Sequence, residues 1–146
     1  MKTQLTIIFV LVTSIAECTI WKVGSTRTYT LPSQVSTLVQ NGDTVEIDSG
    51  IYSSDVAYWA ASNLLLKGVN GFAQMPSGGL TYGDKAIWVI HGNNTTVEYI
   101  EFSEATSTSQ NGAGIRQEGS NLIVRHCYFH NNEDGILAGA DRKSVV

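Results

Sequence analysis

Residues 121–137 read NLIVRHCYFHNNEDGIL. Leu122 and Val124 are apolar on alternate positions, a two-residue step follows Arg125, a polar run from Asn131 to Asp134 interrupts, and Gly135-Ile136 starts again. Apolar side chains at period two describe a strand with one buried face. The same pattern occurs twice upstream, as NLLLKGVNG from Asn63 and NTTVEYIEF from Asn94, at offsets of 31 and 27. Read without gaps, the three copies align Leu64 with Thr95 and Leu122, and Leu66 with Val97 and Val124. Beyond the step they align Val69 with Ile100 and Cys127, then Gly71 with Phe102 and Phe129. Self-similarity at this period is the signature of a solenoid.

The intervening segments, residues 72–93 and 103–120, are rich in Gly, Ser, Thr and Asn and have no helical periodicity. Each repeat is therefore expected to be a coil of short strands joined by turns, with the next coil stacked upon it. Stacking predicts that Asn63, Asn94 and Asn121 form a ladder inside a tight turn, where Asn tolerates left-handed backbone and its amide can bond its neighbour. It also aligns Lys67, Glu98 and Arg125, alternating in sign, on adjacent strands ~4.8 Å apart. Upstream, LPSQVSTLVQNGD places Pro32 at a first helical position with Val35, Leu38 and Val39 on one face and Gly42 as a stop. A short helix there would cap the first coil's open end. GDTVEIDSGIY then supplies Val45 and Ile47 as inward residues of the first strand.

The chain's beginning reads differently. A basic residue at Lys2, an apolar tract from Leu5 to Ala16 and small residues after it describe a signal peptide over residues 1–18. A tract of twelve residues falls short of the ~20 needed for a spanning helix, so we expect export, to the exterior, cell surface or periplasm, and no membrane span. At the other end DRKSVV, residues 141–146, leaves the repeat incomplete and back-translates into a sequence like a sequencing adapter. We expect this tail to be non-native, the solenoid being cut after about four coils and the domain occupying residues 19–140. A formal charge of −4 argues against nucleic acid as partner, because phosphate binding needs clustered Lys and Arg. Two cysteines make no disulfide framework, and Cys127 falls on an apolar position.

The stretch TYTLPSQVSTLVQNGDTVEIDSGIY, followed by NLLLKGVNG and NLIVRHCYFHNNEDGIL, resembles the N-terminal part of right-handed parallel β-helix proteins of the pectate lyase-like superfamily. The resemblance covers roughly residues 23–140. It implies an all-β, right-handed parallel β-helix and, for activity, a polysaccharide lyase or glycoside hydrolase acting on acidic polysaccharide, with catalytic coils beyond this fragment and Ca²⁺ in the full-length protein. A noncatalytic polysaccharide-binding or adhesin-type β-helix protein is the alternative. The residues themselves show no metal set: Glu98, Glu101, Glu104, Glu118, Glu133 and Asp134 are dispersed, and Asn131–Gly135 reads first as a turn. No two acids line up as an inverting hydrolase pair, and catalytic residues are not assigned. Arg116 and Arg125 would serve as proton acceptors only with strongly lowered pKa values. Trp59, Tyr128 and His130 are the candidates for contact with sugar, Trp59 competing with a role in the core. Trp88 and Tyr58 are further rings that could stack on a sugar.

Overall fold

The computed structural model describes residues 17–139, together with the backbone of Ser144–Val145. The leader expected at residues 1–18 therefore falls, apart from Glu17 and Cys18, outside the described residues, and so does most of the tail at 141–146. Alternating apolar residues make strands because each second side chain can leave water while the backbone pairs laterally. Every strand pairing is parallel and joins one coil to the next. The result is a parallel β-helix of about four turns.

One sheet runs β1 (Ile20–Val23), β2 (Thr44–Ile51), β4 (Leu65–Pro76), β6 (Thr96–Glu98), β9 (Leu122–Arg125) and β12 (Ser144–Val145). Past a bend it continues with β7 (Ile100–Ser103), which pairs with β4 and with β10 (Tyr128–His130). The second sheet holds β3 (Ala57–Trp59), β5 (Ala86–Ile90), β8 (Ala113–Gln117) and β11 (Asp134–Ala138). Helix α1 (Pro32–Ser36) packs on β3 and β1 at the N-terminal end. It is shorter than LPSQVSTLVQ suggested: Val35 is fully buried, but Leu38 lies beyond the helix and is 42% exposed. Gln34 Oε1 accepts the Leu31 N–H at 3.0 Å, which satisfies an amide the first turn leaves without a partner.

The turn asparagines form the ladder. Asn94 Nδ2 donates to Asn63 Oδ1 at 3.0 Å, and Asn121 Nδ2 donates to Asn94 Oδ1 at 2.9 Å. All three have φ between 55° and 59°, the left-handed region that Asn enters at low cost. A second strip runs beside it, because Asn93 Oδ1 accepts from Ser120 N and Oγ while the Asn93 N–H donates to Ser62 Oγ. The outward charges also align, in a longer series than the sequence showed. Lys22 pairs in register with Glu46, Glu46 with Lys67, Lys67 with Glu98 and Glu98 with Arg125. Lys67 reaches Glu46 at 3.1 Å, and Arg125 bonds Glu98. Each exposed pair contributes only ~0.2–1 kcal/mol, so the row favours register over total stability.

Inside, Val45, Leu66, Val97 and Val124 stack as one rung, all buried. An aromatic spine runs through the lumen beside it: Trp59 meets Trp88 edge-on at 5.2 Å, Trp88 meets Phe102 at 5.1 Å, and Phe102 stacks on Phe129 at 5.2 Å. The gapless alignment fails in its first copy beyond the bend. Lys67 pairs with Glu98 but Ala73, not Val69, pairs with Ile100, and Met75, not Gly71, pairs with Phe102. Six steps along β4 match two on the next coil, so Val69–Phe72 is a four-residue excursion, its members exposed or half-buried. Gly68 opens it because a Cβ there would lie 2.2 Å from the Tyr99 carbonyl oxygen.

Candidate functional site

Ile100, Phe102, Cys127 and Phe129 turn inward, so period two forces Glu101, Tyr128 and His130 outward on the same strands. Register then assembles one row across three coil boundaries: Ile51 beside Gln74, Gln74 beside Glu101, and Glu101 beside Tyr128. The neighbouring row is Pro76, Ser103 and His130. Along the bend runs a third line, in which Phe72 and Tyr99 have ring centroids 6.4 Å apart and Tyr99 stacks on His126 at 5.0 Å with planes 13° apart. Tyr99 and His126 both hold φ near 54°, a conformation that costs a bulky side chain ~1–2 kcal/mol. The rings are thus held on the surface against local backbone preference.

Two contacts organise the polar end of this face. His130 Nε2 lies 3.0 Å from Glu101 Oε1, and the His130 ring stacks on Tyr128 at 4.8 Å. A depression of about 180 Å³ bounded by Phe129, His130, Asn131, Asn132 and Gly135 adjoins the imidazole. Exposed on the face are Ile51 at 69%, Tyr128 at 55%, Tyr99 at 42% and Phe72 at 41%. Flat apolar rings beside an imidazole and a carboxylate suit a ligand that is apolar on one side and rich in hydroxyls on its edges, because the ring faces take C–H groups and the polar tips take O–H groups.

The sequence candidates divide. Tyr128 and His130 meet on this face, whereas Trp59 is fully buried and, with Trp88, belongs to the lumen. Trp59 is therefore corrected from sugar contact to core. The reason is strand parity: Ala57–Trp59 forms β3, and its alternation turns Trp59 inward and Tyr58 outward. The Asn131–Gly135 turn stitches coils together. Asn132 Oδ1 accepts the Ala105 N–H at 3.0 Å, while Glu133 Oε2 accepts Gly112 N–H at 2.6 Å and Ser107 N–H at 3.0 Å. Among the described residues no three His, Cys, Asp or Glu side chains converge to hold a metal ion. Cys127 donates its thiol proton toward the Val97 carbonyl, and burial pushes its pKa up to about 11, which makes it a packing group and not a nucleophile. No helix among the described residues is long and apolar enough to cross a membrane.

Glu101 escaped attention as a site residue, although its offset of 27 from Tyr128 already placed the two side by side. Ile51 and Phe72 were beyond reach, since the excursion at Val69–Phe72 hides their register. No family model matches the chain, and no curated protein or solved structure matches it either.

Proposed function

We propose that the protein is an exported β-helix protein that binds polysaccharide along the face carrying Ile51, Phe72, Tyr99 and Tyr128. The observation that carries this reading is the gathering of these four exposed apolar side chains, from four successive coils, on one face with stacked imidazoles beside them. Scattered exposed apolar residues mean little, but several gathered on one face cost solvation and suit a contact surface. Repetition at the coil spacing suits a linear polymer, which meets similar chemistry at each step. The apolar tract from Leu5 to Ala16 supports export, and the likeness to the pectate lyase-like superfamily supports the ligand class.

Binding isotherms of the 146-residue chain against neutral and acidic glycans test it. Tyr128→Ala and Tyr99→Ala are each expected to weaken binding roughly fivefold to tenfold, the contribution of one aromatic stacking contact. Failure of every glycan to bind, or indifference to both substitutions, overturns the reading.

A second reading, lyase or hydrolase activity on acidic polysaccharide, is favoured by the imidazole–carboxylate contact of His130 with Glu101, the arrangement of a general acid or base with its orienting partner. Release of unsaturated products, followed by the ultraviolet absorbance of the new double bond, reports a lyase, and reducing-end release reports a hydrolase. His130→Ala abolishes turnover if the contact serves catalysis. Binding without turnover leaves a noncatalytic binding or adhesin-type protein.

A further inference from the structure

The outward face of the second sheet carries a different set of groups. Tyr58 on β3, Val89 on β5 and Arg116 on β8 lie side by side in register, which sets Tyr58 and Arg116 roughly 10 Å apart across two strand spacings. Tyr58 stacks on Tyr82 at 5.4 Å and lies 5.5 Å from the His91 ring, so three rings cluster beside this row. At the far edge Glu118 takes a hydrogen bond from Lys85 Nζ at 2.5 Å and lies 3.3 Å from His91 Nδ1. Arg116 shares in none of this. Among the described residues every other Lys and Arg has a carboxylate within 4.0 Å, while Arg116 is half-buried and its Nε is fully buried without a hydrogen-bond partner.

A guanidinium taken partly out of water with its Nε–H unpaired carries an uncompensated cost, and its terminal N–H groups are the ones left to meet a ligand. Its fixed fork fits one chemistry better than others, a planar or tetrahedral oxyanion bound by two parallel N–H donors. The ring cluster on the same sheet face offers flat apolar surface, and the Glu118 carboxylate offers acceptor capacity for hydroxyl groups. We propose that this shelf is a second saccharide site, selective for sugars bearing a carboxylate or sulfate ester, with the sugar ring over Tyr58 and His91 and the oxyanion on Arg116. It lies on the other sheet from the Tyr128 face and does not depend on that face for its chemistry.

Calorimetric titration of the whole chain tests the proposal, with three probes: an oligouronide, the same oligomer as its neutral methyl ester, and a sulfated oligosaccharide of equal length. Arg116→Gln is expected to weaken the anionic probes by about tenfold or more, the loss of a charge-assisted hydrogen bond, and to leave the methyl ester unchanged. Arg116→Lys retains charge without the fork and is expected to fall between. Tyr58→Ala weakens the anionic probes as well, whereas Tyr128→Ala weakens binding at the first face and leaves the Arg116-dependent component intact. The oligouronide and the sulfated probe distinguish which oxyanion is preferred. Thermal melts of Arg116→Gln guard against misfolding: removal of an unpartnered charge is expected to preserve or raise Tm. The proposal is overturned if neither anionic probe binds, if Arg116→Gln leaves their affinities unchanged, if the methyl ester binds as tightly, or if free inorganic sulfate binds as tightly as the sulfated sugar.

Discussion

At the scale of single residues, the turn rung Leu64–Thr95–Leu122 is the most exposing test of packing. Thr95 is fully buried between two leucine positions, and its hydroxyl has no hydrogen-bond partner. Replacing a buried orphan polar atom by a methyl group of the same shape removes a desolvation penalty. Thr95→Val is therefore expected to stabilise the fold by about 1 kcal/mol, read as a higher urea midpoint at unchanged m-value. The ladder predicts the opposite sign next door. Asn94 makes two side-chain bonds and Asn63 one, so Asn94→Ala should cost about 1–3 kcal/mol and more than Asn63→Ala, each bond being worth ~0.5–1.5 kcal/mol and the left-handed backbone adding to both losses alike. The asparagines were legible because their conformation, side-chain chemistry and spacing point the same way. Trp59 was not, since a Tyr-Trp pair flanked by alanines reads equally as an exposed loop or as a short strand until Ala57–Trp59 is seen to pair with β5.

At the scale of the element, coils stack only where the backbones can approach. A Cβ on Gly92 would lie 1.8 Å from the Ala61 carbonyl oxygen, and one on Gly119 would lie 2.0 Å from the Gly92 carbonyl oxygen. These glycines follow β5 and β8, where successive coils turn the same corner in contact. Gly92→Ala is expected to destabilise by about 1–3 kcal/mol, because rigid backbone and not a flexible side chain must move; equilibrium unfolding of the variant measures it. Strand alternation and the cap's general position were readable beforehand. Corner lengths were not, since an excursion that faces water leaves no periodic signal and Val69 happened to satisfy the apolar pattern. The face around Tyr128 inherits that opacity: two of its members, Tyr128 and His130, could be named from parity, while Phe72 and Ile51 join it only through the displaced register.

At the scale of the whole molecule, the carboxylates tune how the fold responds to acid. The hydrogen bond from Arg27 holds Asp48 below the usual carboxylate range, and the one from Lys85 does so for Glu118. Burial opposes ionisation of Asp43, but N–H donors from Gln40, Trp21 and Thr19 outweigh it, leaving this carboxyl lowered too. A group whose pKa is lower in the folded state contributes stability above its unfolded value, which is lost as pH falls through the folded one. Asp55 runs the other way, raised by burial. Asp84 is lowered as well, by hydrogen bonds from Thr108, and four lowered groups against one predict that Tm falls as pH drops below about 4. Asp43→Asn is expected to lower Tm at neutral pH and to flatten that acid limb, since it removes the charge and one of the two oxygens that accept from Thr19, Trp21 and Gln40. An acid limb equal to that of the unsubstituted protein would contradict this assignment.

The detour between Lys67 and Ala73 shows that contour length and cross-section are independent quantities in this architecture. Surplus chain is ejected sideways while the pairs before and after it keep their partners. A foreign peptide spliced between Asn70 and Gly71 would accordingly hang off the outer wall as a pendant, and the same corner offers a place to add a recognition loop beside Phe72 without rebuilding the interior.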